Sequence, residues 1–206
     1  EGVKVYMDTD PRIARREFLK RYPADCASVI CVTKDENLSF PSYRDHMAWG
    51  AERGYDAVAK KVLKKLPNGL MLVQFDLFAV DPATPKLTPF LEELALRYKE
   101  LGADGAMRDE WGFPPIRDFH KDHAAFPYSP AFAAEYARVS GGRDYIADLA
   151  EIASGAPAAR EAIDFMMRTI YGVCVRTEKE FYDLNYRLFG KDVYVTKHPT
   201  WHCRFD

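Results

Sequence analysis

The sequence predicts an α/β fold of parallel strands with flanking helices, and three observations carry that expectation. Short apolar runs of strand length recur along the chain, amphipathic runs of helical period lie between them, and the strand-like runs end in polar or charged residues. Strand, helix, strand is the pattern of a parallel sheet, because parallel neighbours need a crossover long enough to bring the chain back.

The elements follow in order. "VKVYMDTD" (3–10) is the first strand, and Asp10 followed by Pro11 is an N-cap and N1 pair for a helix over "PRIARREFLKRY". "ASVICVT" (27–33) is strand-like and runs into the polar turn "KDENLS", so it belongs to a hairpin or extra strand inserted around 27–43. In "YDAVAKKVLKKL", Tyr55, Val58, Val62 and Leu66 stand at helical spacing, predicting a helix stopped by "PNG". "LMLVQFD" (70–76) is the next strand. The helix "TPFLEELALRYKELG" after it buries Leu87, Leu91, Leu94, Tyr98 and Leu101, with Gly102 at C′. "ADGAMRDE" (103–110) completes a βαβ unit. Residues 115–157 mix proline and glycine turns with short amphipathic helices, as a lid or subdomain would. A long helical pattern from "AAREAIDF" to "NYRLFG" has Gly172 as the place where it divides in two, and "DVYVTKH" (192–198) is the last strand.

Composition narrows the function classes. The 206 residues, 48% hydrophobic and 14% aromatic, are enough for one α/β domain with a sizeable core. A net charge of −2 with both signs interspersed leaves no electrostatic footprint for nucleic acid or an anionic membrane, and no apolar run reaches membrane-spanning length. Cys26, Cys31, Cys174 and Cys203 lack metal-site or disulfide-framework spacing; as reduced thiols they point to a cytoplasmic setting. No P-loop, G-x-G-x-x-G or G-x-S-x-G motif occurs, so no cofactor is expected. The abrupt start and end beside strand-like runs predict an incomplete barrel excised from a longer chain.

Chemistry-bearing residues gather at the strand ends. Asp8 and Asp10 close the first strand, Asp76 the second, Asp109 and Glu110 the third, and His198, Trp201 and His202 follow the fourth. In parallel α/β folds the carboxyl ends of the strands form the ligand face. A carboxyl beside an indole, as Glu110 is beside Trp111, has its charged form disfavoured and becomes a proton donor. Protonating a glycosidic oxygen needs such an acid with a second carboxylate across the sugar. Trp111, Phe113 and Trp201 suit the apolar faces of a sugar ring. Adjacent strand residues point to opposite faces, so one of Asp109 and Glu110 faces the pocket. The plainer readings are that Asp10 is an N-cap, Asp81 before Pro82 forms a turn, and Cys31 and Cys174 are inert buried thiols.

The order of "VKVYMDTDPRIARREFLKRYP", the D-G-x-x-x-D-E motif in "ELGADGAMRDEWGFPP" and the closing "DVYVTKHPTWH" resembles the catalytic region of large bacterial glycoside-hydrolase-like proteins with a (β/α)₈ (TIM) barrel. The resemblance implies an acid/base residue after the fourth barrel strand, which falls on Glu110. The expectation is therefore a glycosidase with a carbohydrate substrate: Glu110, Asp109 and Asp76 as catalytic candidates, and Asp8, Trp111, His198, Trp201 and His202 lining the sugar site. The alternatives are a metal-dependent hydrolase using His120, His123, His198 and His202 with Asp8, and a sugar-binding domain without turnover.

Overall fold

A computed structural model describes residues 4–8, 11–38, 57–107 and 125–195. Strand β1 (Tyr6–Asp8) precedes helix α1 (Pro11–Arg21), a 3₁₀ turn at Pro23–Asp25 and β2 (Cys26–Thr33). A hairpin of β3 (Ala57–Lys65) and β4 (Met71–Val80) leads to α2 (Leu87–Glu100) and β5 (Gly105–Met107). Then come β6 (Ala125–Tyr128), α3 (Pro130–Ser140), α4 (Tyr145–Ser154) and α5 (Ala159–Phe189). No helix among the described residues is long and apolar enough to cross a membrane.

The expected barrel of parallel strands is overturned. The described strands form a two-stranded parallel sheet, β1–β5, and a four-stranded antiparallel sheet in the order β3-β4-β2-β6. The run "LMLVQFD" is the core of β4, which pairs antiparallel with β2 from Cys26 opposite Val80 to Thr33 opposite Met71. It is apolar on successive residues because both faces are covered, a pattern that parallel strands usually show. Ala27, Val29 and Cys31 pack with Val73 and Phe75 on one face. Ile30 and Leu72 pack on the other against Phe132, Tyr136, Leu149 and Ile170 of the helices.

The segment expected to be helical around Val58 and Val62 is strand β3. Its pairing with β4 shifts between Ala57 and Ala59 and again between Val62 and Lys64. Each such bulge breaks the alternation of period two, and the broken pattern imitates helical spacing. "PNG" is the hairpin loop: Gly69 donates to Leu66 O at 3.0 Å, Leu66 donates to Leu70 O at 2.8 Å, and Gly69 takes φ +79°. That is a type I turn closed by a left-handed glycine. Lysines along this edge strand oppose pairing with another chain.

Other elements agree with their sequence signals. Leu87, Leu91 and Leu94 are buried along α2, and Gly102 (φ +86°) follows its C-cap; Leu101 instead is 76% exposed. Ser129 caps α3, its Oγ accepting from Phe132 N at 2.8 Å with Pro130 next in line. The long helix α5 runs unbroken through Gly172, because tertiary burial of Met166, Ile170 and Val173 before it and Phe181 and Leu184 after it outweighs a glycine's cost of about 1 kcal/mol.

Candidate functional site at the mouth of the parallel pair

In the β1–β5 pair, Tyr6 stands opposite Gly105, Met7 opposite Ala106 and Asp8 opposite Met107. The carboxyl ends of the two strands are therefore level, and Asp8 is the last residue of β1. Only three residue pairs make this ladder, and side chains complete it. Asp104 N donates to Val5 O at 2.7 Å while Val5 N donates to Asp104 Oδ2 at 2.8 Å. Gly105 has no room for a side chain: a Cβ there would lie 2.7 Å from the Tyr6 ring and 2.8 Å from Val193. The Asp-Gly half of the D-G-x-x-x-D-E motif is thus a structural clamp on β1.

The free edge of β5 is satisfied by a helix. Ala106 N donates to Asn185 Oδ1 at 2.9 Å, and Asn185 Nδ2 donates to Phe181 O at 3.0 Å in the same helix α5. Asn185 is fully buried. A buried amide without a partner would cost about 1–3 kcal/mol, so a polar residue inside the apolar stripe of α5 has a reason to be there.

A third segment joins the pair. Residues 192–195, expected as a strand, carry no regular secondary structure. They lie beside β1 through Lys4 Nζ donating to Asp192 O at 3.2 Å and Tyr194 N donating to Tyr6 Oη at 3.1 Å. Val193 is buried there, and Val195 packs on the core shared by α1, α2 and α5.

Of the candidate residues, the structure places Asp8 at this mouth by its backbone; its side chain lies outside the described atoms. Asp76 stands elsewhere, within β4 and four residues before that strand ends. Its Oδ1 accepts from Ser28 Oγ at 2.7 Å and from Gln74 Nε2 at 2.6 Å. It belongs to an antiparallel sheet rather than to the carboxyl end of a parallel strand. Asp109, Glu110, Trp111, His198, Trp201 and His202, with Phe113, His120 and His123, lie outside the described residues. Among the described residues no group of three or more His, Cys, Asp or Glu side chains could hold a metal ion. Burial pushes the Cys31 thiol up to about 12, so it is inert at neutral pH.

Two polar clusters escaped the sequence reading. Asp81, 2% exposed, accepts from Ala83 N at 2.9 Å and from Ser129 Oγ at 2.7 Å. The first bond is the turn its place before Pro82 foretold. The second ties β4 to the cap of α3, and burial raises the Asp81 carboxyl to about 6. The other cluster centres on buried Asp148, which takes two bonds from Arg143 (2.7 and 2.8 Å) and one from Tyr136. Burial raises its carboxyl, and the Arg143 and Tyr136 hydrogen bonds outweigh that, leaving it below the ordinary value. Both lie in core-facing turns and helix starts, which marks them as structural.

The chain matches no protein-family model, no curated protein and no solved structure.

Proposed function

We propose that the chain is a carbohydrate-active hydrolase that cleaves a glycosidic bond, with Glu110 as the proton donor. One observation carries the reading: the parallel pairing sets Asp8 level with Met107, and Arg108, Asp109 and Glu110 follow Met107 directly. Three residues of chain reach at most about 11 Å. Chain length therefore allows Glu110 to reach Asp8. His198 is likewise three residues beyond Val195, which packs on the core beside the same strands.

Two carboxyl groups within one neighbourhood, with Trp111 next to one of them, are what glycoside cleavage uses. The protonated Glu110 gives its proton to the leaving oxygen as the bond to the anomeric carbon breaks. Asp8, ionised, stabilises the positive charge developing on the sugar, either by direct attack or by activating water. Asp109 is then a supporting carboxylate, Asp76 takes no part, and Trp111, Trp201, His198 and His202 contact the sugar.

The test is turnover of p-nitrophenyl glycosides and unactivated oligosaccharides by wild type and by Glu110→Gln. A loss of about 10²–10⁴-fold on unactivated glycosides is expected for Glu110→Gln, with a smaller loss where the leaving group needs no proton. Unchanged turnover in the variant removes the assignment. Saturable sugar binding with no turnover by wild type identifies a binding domain instead.

A further inference from the structure

A groove of about 880 Å³ lies where the turn before α2 and the first turn of that helix meet α3 and α5. Its size is that of a small-molecule site. Small side chains close to the backbone, Ala83, Pro85, Ala131 and Ala134, contribute to its apolar surface. Its polar groups are two carboxylates and two guanidiniums, with threonines between them.

Their hydrogen bonding is unequal. Glu135 is held by Arg138 through two bonds of 2.7 and 2.9 Å, and by Arg176 through one of 3.3 Å. Among the described residues Arg176 therefore commits one long bond, leaving other N–H donors for a ligand; its side chain is 39% exposed. One turn along α5, Glu180 accepts from Thr88 Oγ1 on Oε2, and no described residue donates to its Oε1. Residues four apart on a helix stand about 6 Å from each other, so Arg176 and Glu180 present a donor and an acceptor within reach of one sugar ring. Two positive and two negative groups leave the lining without net charge. A neutral ligand that both donates and accepts meets these groups without bringing a charge that must be compensated.

We propose that this groove binds a neutral saccharide, with Arg176 donating to ring hydroxyls, Glu180 accepting from them, and the C–H face of the ring against Pro85 and the alanines. The site is independent of the strand mouth and does not need Glu110.

Titration of the whole chain with maltotriose, cellotriose and xylotriose, followed by NMR, tests it, with glucuronic acid and glucosamine as charged controls. At least one trisaccharide is expected to bind saturably, and Arg176→Ala and Ala134→Trp are each expected to weaken it tenfold or more. Ala134 is exposed on α3, so its tryptophan fills the groove without disturbing the core; unchanged thermal midpoints check that both variants fold. Binding by Glu110→Gln equal to that of wild type is expected, which separates this site from the catalytic reading. Absence of saturable binding, binding untouched by either groove variant, or tighter binding of either charged control overturns the proposal.

Discussion

The parallel half and the antiparallel half of this molecule solve the same problem by different means. In the antiparallel half, β2, β3, β4 and β6 satisfy one another along extended ladders, and the sheet is covered by α3, α4 and the first part of α5. In the parallel half a ladder of three residue pairs is completed by side-chain bonds: Asp104 to Val5, Tyr6 to Tyr194, and Asn185 of α5 to Ala106. The lesson is that the candidate catalytic mouth rests on a few long-range side-chain bonds, whereas the neighbouring sheet rests on backbone pairing. Helix α5 joins the two, giving Met166, Ile170 and Val173 to one core and Phe181 and Leu184 to the other.

The largest expected effect lies at the junction. Asp81 binds its proton more tightly folded, at about 6, than an ordinary aspartate near 3.8 does. Its contribution to stability is therefore greatest below about pH 4 and falls as pH rises through 6, by on the order of 3 kcal/mol. Asp81→Asn removes that proton. The stability difference between wild type and variant, from urea unfolding, should change by this amount between pH 4 and pH 7. A difference that stays constant across the window would show that Asp81 is not held in this environment.

A smaller effect separates the halves directly. Asn185→Ala leaves the Ala106 amide without its partner and should cost about 2 kcal/mol. Hydrogen exchange should then accelerate at Ala106 and its β1 neighbours while the β2–β4 amides keep their protection. Equal acceleration in both sheets would mean that the molecule opens as one unit and the comparison fails. The smallest effect is at the exposed midpoint of α5. A Cβ at Gly172 meets nothing within 4 Å, so Gly172→Ala should stabilise the chain by about 1 kcal/mol, seen as a raised thermal midpoint. Destabilisation there would indicate that α5 needs its glycine to bridge the two cores.

Much of this architecture is legible in local patterns. Pro11 opens α1, the leucine stripe and Gly102 delimit α2, and "ASVICVT" is β2 almost to the residue. Strand direction is less legible. A run apolar on both faces reads alike in parallel and antiparallel sheets, so "LMLVQFD" gave no sign that its neighbours run the other way. In β3, two bulges erased the period that marks a strand, and the Asn68-Gly69 turn was the better witness. β5 pairs with β1 and not with β4, so the βαβ unit expected from "LMLVQFD" to "ADGAMRDE" is not formed, and of the candidate site only the parallel direction of β1 and β5 was legible. The supporting Asn185 was not, because a single amide in a helical stripe carries no local signature of the strand it serves.

By itself the sequence determined helices α1 and α2, the stop of α2 at Gly102, and that the runs forming β1 and β5 lead into carboxylate-bearing chain. Only the tertiary structure decided that Asp76 serves a sheet interior, that Asp104 and Gly105 clamp β1, and that β2, β3, β4 and β6 run antiparallel. The physical reason is range: caps, stripes and turns act across a few residues and leave their mark in the local pattern. Strand direction and buried hydrogen-bond partners depend on groups far apart in the chain, such as Ala106 and Asn185, 79 positions apart, which meet only when the chain has folded.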